Sequence, residues 1–134
     1  AKELQDPVKI VFFTQHQSPL VVPSHVCMYC KETGDLVEEV ATLSDKITLD
    51  TFDLLKDAEV AKQFGVEKIP AVILTGKNRG KIRFFGIPSG YEFASLIEGI
   101  RDVSKGTTDL SDATKKELAK VTSKTHIQVF NTPT

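Results

Sequence analysis

Two cysteines separated by two residues constrain this chain more than any other feature. Cys27 and Cys30 are the only 2 cysteines among 134 residues. They follow a segment at residues 9–14 whose β-branched and aromatic side chains predict a buried strand. Apolar residues then recur at helical spacing, so a helix is predicted over residues 29–43. Because a disulfide across so short a loop restricts the unfolded chain little, the pair is expected to serve chemistry rather than stability.

The positions of the two thiols at the start of this helix favour redox chemistry. Residues three apart on a first helical turn share one face, so the two sulfur atoms can form a small disulfide ring. The positive end of the helix dipole stabilises a thiolate there. Cys27, which precedes the helix, is the predicted nucleophile, and Cys30 is the predicted resolving thiol. Two buried free thiols are the plain alternative, whereas Lys31 stands where a haem-attachment motif has His.

The remaining pattern predicts an α/β fold. Further strands are predicted at residues 47–54, 71–74 and 81–85. Asp57 is placed to cap a short helix that runs to Phe64, and Gly65 is placed to end it. Because strands and helices alternate at the start of the chain, a mixed central sheet flanked by helices is expected.

The last predicted elements form a C-terminal α-β tail. Ser89 and Glu92 match a capping box, which predicts an amphipathic helix that ends near Gly106. After a polar linker, a helix is predicted over residues 111–121 and a strand over residues 126–130. The apolar pattern of that strand repeats the pattern of the first strand, so the tail is interpreted as the beginning of a second copy of the fold.

The composition narrows the expected partners. With 17 Lys+Arg and 18 Asp+Glu, the formal net charge is -1, which gives no electrostatic reason to expect nucleic acid or an anionic membrane. No apolar run approaches the roughly 20 residues of a membrane span. No basic segment followed by an apolar core suggests a secretory signal. We therefore expect a cytoplasmic protein with neither a nucleic-acid nor a membrane partner.

With these features the chain resembles a known superfamily. A C-x-x-C motif opening a helix, Ile69-Pro70 opening a strand, and a hairpin and helix after it are similar to the thioredoxin/glutaredoxin fold. Residues 83–93 and 126–134 bring the resemblance closer to the glutaredoxin-like, two-unit protein disulfide oxidoreductases of thermophilic prokaryotes. A weaker resemblance is to the tandem N-terminal part of the flavoprotein that reduces alkyl hydroperoxidase.

The resemblance implies an activity and a domain organisation. It implies a thiol–disulfide oxidoreductase that needs no metal or organic cofactor. It also implies a redox unit over residues 1–106. Residues 107–134 would then be the linker, helix and first strand of a truncated second unit.

The resemblance further implies a substrate site next to the thiols. Spacing alone favours a trans bond between Ile69 and Pro70, because only about 5–6% of X-Pro bonds are cis. The family instead implies a cis bond that turns the backbone of Ile69 towards an extended substrate peptide. Met28 and Tyr29 are the other expected substrate contacts. The implied partners are protein disulfides or dithiols and a thioredoxin-reductase-like electron donor.

Several positions depart from the family pattern. Met28 stands where a polar residue or proline is usual, so the direction of electron flow stays open, and Val26 stands where thioredoxins carry Trp. No carboxylate in the first strand matches the buried acid that thioredoxins use as a proton shuttle. Asp50 and Asp53 are interpreted as solvated groups at a strand end.

A zinc site is the alternative from a different class. Its four nitrogen and sulfur ligands would be His16, His25, Cys27 and Cys30. Within the redox interpretation, His25 could instead lower the thiol pKa as an imidazolium.

A non-catalytic interaction module is the third hypothesis. It rests on the apolar tail strand, which has no full sheet to enter and invites pairing with another chain. A homodimer formed through the tail is therefore predicted.

Overall fold

The computed structural model describes residues 4–16, 26–78 and 80–132. Its centre is a four-stranded sheet in the order β2-β1-β3-β4. The strands are β1 (Val8–Thr14), β2 (Ile47–Asp53), β3 (Ala71–Thr75) and β4 (Ile82–Phe85). β1 pairs with β2 in parallel, whereas β3 is antiparallel to both of its neighbours. The sheet is therefore mixed, as the order of predicted elements indicated.

Helices cover both faces of the sheet. They are α1 (Cys30–Thr42), α2 (Ala58–Phe64), α3 (Tyr91–Lys105) and α4 (Asp112–Leu118). Alternate side chains of β1 enter two cores, because successive residues of a strand point to opposite faces. Ile10 and Phe12 pack in the core that contains Val37 of α1 and Leu96 of α3, whereas Phe13 packs in the core that contains Ala61 of α2.

Every helix within the described ranges is too short or too polar to span a bilayer.

Two of the helices end where the sequence predicted. Gly65 and Gly106 follow α2 and α3 in the left-handed conformation, with φ of 68° and 70°. Ser111 caps α4, since its side chain accepts a hydrogen bond from the backbone N–H of Thr114 at 3.2 Å.

One predicted helix cap is wrong, and a second stands at the predicted position without the expected side-chain hydrogen bond. The helix expected after Ser89 begins only at Tyr91, and Gly90 takes the N-cap position with a φ of 60°. Ser89 therefore lies one residue too early to cap, and it is its carbonyl that accepts the N–H of Glu92. Asp57 does occupy the N-cap position of α2, but its carboxylate accepts a hydrogen bond from the backbone N–H of Asp53 at 2.8 Å instead.

The predicted tail strand is also wrong. Residues 126–130 form no strand in the described structure, and Ile127, Val129 and Phe130 are 81%, 84% and 90% exposed. α4 ends at Leu118 rather than near residue 121, and it has no buried residue. The apolar alternation predicted a strand, but a strand also needs a neighbour for its backbone groups. None of the described strands pairs with the segment.

Candidate functional site

A disulfide links the two cysteines at the start of α1. The S–S distance is 2.01 Å, and the two Cα atoms are 5.5 Å apart. Cys30 is the first residue of α1 and is 6% exposed, whereas Cys27 precedes the helix and is only half-buried. The pairing expected from the spacing is therefore present, and Cys27 is the more exposed of the two residues.

The sheet topology places this disulfide at one end of the molecule. β1 and β2 are parallel, so α1, which connects them, runs back and has its N-terminus at their carboxyl ends. Thr14 pairs with Asp53 at this end, and Phe13 pairs with Ala71, the first residue of β3. The end of β1, the end of β2 and the start of β3 therefore meet beside the start of α1.

A glycine lets α1 approach β1 closely near the disulfide. A Cβ atom on Gly34 would lie 3.3 Å from Cε1 of Phe12, tighter than ordinary van der Waals contact. Gly34 costs the helix about 1 kcal/mol relative to Ala. Close packing of the first turns of α1 on the carboxyl half of β1 explains why a glycine is accommodated here.

Ile69 and Pro70 stand at the same end of the sheet. Their peptide bond is cis, as the resemblance implied. Pro70 is buried and its carbonyl accepts a hydrogen bond from the backbone N–H of Gly86 at 2.9 Å, whereas Ile69 is half-buried. This hydrogen bond fixes the backbone that immediately precedes β3.

Exposed apolar side chains accompany the disulfide. Met28 and Tyr29, the two residues between the cysteines, are 75% and 51% exposed. Leu55, just beyond β2 at the same end of the sheet, is 73% exposed and was not among the residues that the sequence suggested. The signal that could have found it is an apolar residue directly after the carboxyl end of a strand.

The expectation that Asp53 is solvated is wrong, whereas the Asp50 side chain is 44% exposed and pairs with Lys9 at 2.9 Å. Asp53 is 5% exposed, and one of its oxygens, Oδ2, accepts the backbone N–H of His16 at 2.8 Å. The other, Oδ1, accepts the N–H groups of Leu55 and Lys56 at 2.9 and 3.0 Å. The register between β1 and β2 causes this burial, because it brings the start of the connection to Cys27 against the end of β2.

These contacts set the ionisation of Asp53. Burial by itself raises the pKa of its carboxyl, because it disfavours the charged form. The backbone N–H groups of His16, Lys56 and Leu55, together with the charge of Lys56, nevertheless hold the pKa below its usual value. Asp53 is therefore a carboxylate at neutral pH.

One cation next to Cys30 is also perturbed. Lys31 donates a hydrogen bond to Oδ2 of Asp35 at 2.8 Å. This hydrogen bond, and after it the negative charge of the same carboxylate, raises the pKa of Lys31. Lys31 is therefore a cation whose charge is paired with the carboxylate of Asp35.

The described residues do not support the zinc alternative. Across residues 4–16, 26–78 and 80–132, no group of three or more His, Cys, Asp or Glu side chains is placed to hold a metal ion. His25, one of the four proposed ligands, lies outside the described residues. Both sulfur atoms are bound to each other, so neither is available as a thiolate ligand in this state.

Comparison with known sequences relates the chain to proteins described as thioredoxins. A family model described as thioredoxin domain matches residues 20–98. The chain is also 34% identical over 83 residues to a probable thioredoxin of Methanothermobacter thermautotrophicus. That alignment covers 61% of this chain and 89% of the relative.

Two solved structures match over more of the chain. A protein disulfide oxidoreductase from Aeropyrum pernix superposes with a TM-score of 0.74 at 26% identity, over 90% of this chain and 50% of that one. One of the subunits of the alkylhydroperoxide reductase from Enterococcus faecalis superposes with a TM-score of 0.70 at 29% identity, over 89% of this chain and 54% of that one. The chain thus spans about half the length of these two proteins.

Proposed function

The chain belongs to the thioredoxin-domain family, and from this premise we propose that it exchanges disulfides with protein substrates through Cys27 and Cys30. The observation that carries the proposal is the disulfide at the N-terminus of α1, which joins the half-buried Cys27 to the buried Cys30. A helix N-terminus favours the thiolate that this chemistry needs.

The exchange takes two steps in the reducing direction. The Cys27 thiolate attacks a substrate disulfide, so that a bond forms between Cys27 Sγ and one substrate sulfur and the other substrate sulfur leaves as a thiolate. The Cys30 thiolate then attacks Cys27 Sγ, which closes the disulfide and releases the second substrate thiolate. The substrate gains two electrons and the dithiol loses two. The reverse sequence forms a substrate disulfide.

The surroundings of the disulfide suit an extended peptide as substrate. Met28 and Tyr29 are exposed beside the sulfur atoms and offer apolar contact. The half-buried Ile69 offers its backbone at the same end of the sheet. We assign these residues, with Pro70, to substrate binding.

A dithiol of this kind also needs an electron donor. We propose a thioredoxin-reductase-like partner, and the similarity to a subunit of an alkylhydroperoxide reductase supports a donor or acceptor from the reductase class. We further propose a cytoplasmic location, because disulfides in that compartment are usually transient and catalytic.

We propose that residues 1–106 form the redox unit and that residues 107–134 begin a second unit. The match to the Methanothermobacter relative covers 61% of the chain, whereas that to the Aeropyrum structure covers 90%. Residues 1–106 are about four fifths of the chain, so the longer match includes part of the tail. Apolar residues of the tail are exposed, which supports self-association through this segment in the chain as it stands.

Trapping the mixed disulfide tests the proposed exchange. Cys30→Ser removes the resolving thiol, so we expect a covalent adduct between Cys27 and insulin to accumulate to near stoichiometry, as seen by mass spectrometry without reductant. Cys27→Ser is the matched control and should form no adduct through Cys30, whose sulfur atom is shielded. Stoichiometric zinc that is lost on Cys27→Ser, with no adduct in either variant, would instead establish a metal site.

A further inference from the structure

A groove lies between the edge of the sheet and the C-terminal tail. β4 is an outermost strand of the sheet, and none of the described strands pairs with its outer edge. Residues 83–85 of β4 and residues 125–131 of the tail both line the groove. A hydrogen bond of 3.0 Å between Arg83 Nη2 and His126 Nδ1 ties the two together. The groove has a volume of about 880 Å³, which falls within the range of ligand-binding clefts.

One end of the groove adjoins the backbone that we assign to substrate binding. Residues 67–68, which immediately precede Ile69, line the groove. Phe85 also lines it and pairs with Ala71, the first residue of β3. Because neighbouring strands are about 4.8 Å apart, Phe85 stands one strand spacing from the backbone that follows the cis bond. An extended peptide that pairs with the backbone of Ile69 can therefore continue into the groove.

The edge of β4 offers backbone groups to such a peptide. In an antiparallel pair, successive residues direct their N–H and C=O groups alternately towards the partner strand and away from it. The N–H of Gly86 binds the carbonyl of Pro70 at 2.9 Å, so Phe85 and Arg83 direct their backbone groups away from β3 and towards the open edge. An extended peptide adds to an edge of this kind as a further strand.

Apolar side chains surround this edge. Phe85, Val129 and Phe130 all line the groove, and all three are exposed. A peptide that carries apolar side chains would remove them from water, which stabilises the complex.

The charged side chains of the groove do not favour an anionic ligand. The cations of Lys81 and Arg83 already bind carbonyl groups at the C-terminal end of α2, at 2.8 and 3.1 Å. The other charged residues of the lining are Glu67, Lys68 and Glu92, which carry both signs. The groove therefore suits an apolar peptide segment better than a phosphate or an acidic peptide.

We propose that this groove binds the part of an extended substrate peptide that lies beyond the backbone of Ile69. The peptide adds to β4 as a further strand, and its apolar side chains pack against Phe85, Val129 and Phe130. The proposal rests on the exchange reaction assigned above and adds no chemical step to it, since electrons still move only between sulfur atoms. It gives the tail a role in the selection of substrates.

Reduction of matched disulfide peptides tests the proposal. Each peptide carries one cysteine in a mixed disulfide with cysteamine. The short peptide is Gly-Cys-Gly, and two longer ones add Val-Thr-Val-Thr on the N-terminal or the C-terminal side. We expect the reduced full-length chain to react with one of the longer peptides with a second-order rate constant about tenfold above that of the short peptide. N-methylation of its two valines should remove this gain, because the added strand then lacks N–H donors.

Variants of the tail locate the effect. Val129→Ser combined with Phe130→Ser should lower the ratio of the two rate constants, longer peptide to short peptide, from about ten to about one. Leu118→Ser combined with Val121→Ser is the matched control, because these two residues are exposed on the tail and lie outside the groove. It should leave the ratio unchanged.

Three results would overturn the proposal. They are a ratio near one in the original chain, a ratio that the Val129 and Phe130 variant leaves unchanged, and a ratio that the control lowers equally. A ratio that falls as the protein concentration rises would place a second copy in the groove and would also overturn it. Reduction of the short peptide through Cys27 does not need the groove, so its absence would count against the exchange reaction itself.

Discussion

Asp53 shows how one side chain can join segments that are distant in the sequence. Its carboxylate binds the backbone of His16, 37 positions earlier, and two N–H groups just after β2. The sequence pattern predicted a solvated group, because acidic residues at strand ends usually face water. What reverses this is the register of β1 and β2, which a single sequence does not reveal.

The lowered pKa of Asp53 makes stability depend on pH in a defined direction. A carboxyl whose folded pKa lies below its unfolded value of about 3.9 stabilises the fold at pH values above that value. The contribution is lost as the pH falls through the lower folded value. At pH 7 we expect Asp53→Asn to lower the free energy of unfolding by about 1–3 kcal/mol, because an NH2 group, which cannot accept a hydrogen bond, replaces one of the two oxygens that accept the surrounding N–H groups.

Urea unfolding at pH 7 and pH 3 measures this dependence. The difference in the free energy of unfolding between the unsubstituted chain and Asp53→Asn should be smaller at pH 3 than at pH 7. Asp50→Asn is the matched control on the same strand, and because its pair with Lys9 is exposed, we expect about 0–1 kcal/mol at pH 7. An Asp53 effect of equal size at both pH values would contradict the proposed ionisation.

The pairing of the two cysteines could be predicted from their spacing, whereas the cis bond before the proline could not. The spacing of Cys27 and Cys30 before a helical pattern was enough to predict their pairing. The cis bond before Pro70 came from the family resemblance, since spacing favoured trans. The contact between His16 and Asp53 had no local signal, because it depends on strand pairing.

At the scale of elements, helix ends were predicted correctly where a single residue type sets the end. They were predicted wrongly where the backbone conformation of the preceding turn sets it. Gly65 ends α2 in the left-handed conformation that favours glycine. Ser89 matched a capping motif, yet the turn through Gly90 delays α3 to Tyr91. A motif of residue types specifies the side chains but not the backbone between them.

The end of α2 can be tested by adding one methyl group. At Gly65, φ is +68° and a Cβ atom would meet the guanidinium of Arg83. Gly65→Ala should therefore lower the free energy of unfolding by roughly 1–2 kcal/mol. Gly80→Ala is the control, because a Cβ atom there meets nothing within 4 Å, and it should change stability by less than about 0.5 kcal/mol. Equal effects in thermal unfolding would contradict the assigned role of the left-handed conformation.

At the scale of the whole molecule, the tail contributes little to the packed unit. α4 has no buried residue, and the tail reaches the sheet through a hydrogen bond between His126 Nδ1 and Arg83 Nη2 at 3.0 Å. The apolar side chains of residues 127–130 face outwards. The sequence predicted a strand here because alternation was present, but pairing requires a neighbouring strand that the described residues do not supply.

Removing residues 107–134 should therefore leave the unit folded. We expect a thermal midpoint within about 2 °C of that of the full chain, because none of the described tail residues is buried. If the tail mediates association, the full chain should be dimeric in sedimentation and the shortened chain monomeric. Replacing Ile127, Val129 and Phe130 together by Ser is the control that keeps the chain length. A full chain that is already monomeric would contradict tail-mediated association.

The central claim is that Cys27 exchanges electrons with protein disulfides, and catalysed reduction of insulin by dithiothreitol tests it most directly. The original chain should accelerate precipitation of the insulin B chain, and Cys27→Ser should reduce the rate to that of dithiothreitol alone. Cys27→Ser with undiminished activity, or an original chain with no activity, would contradict the account.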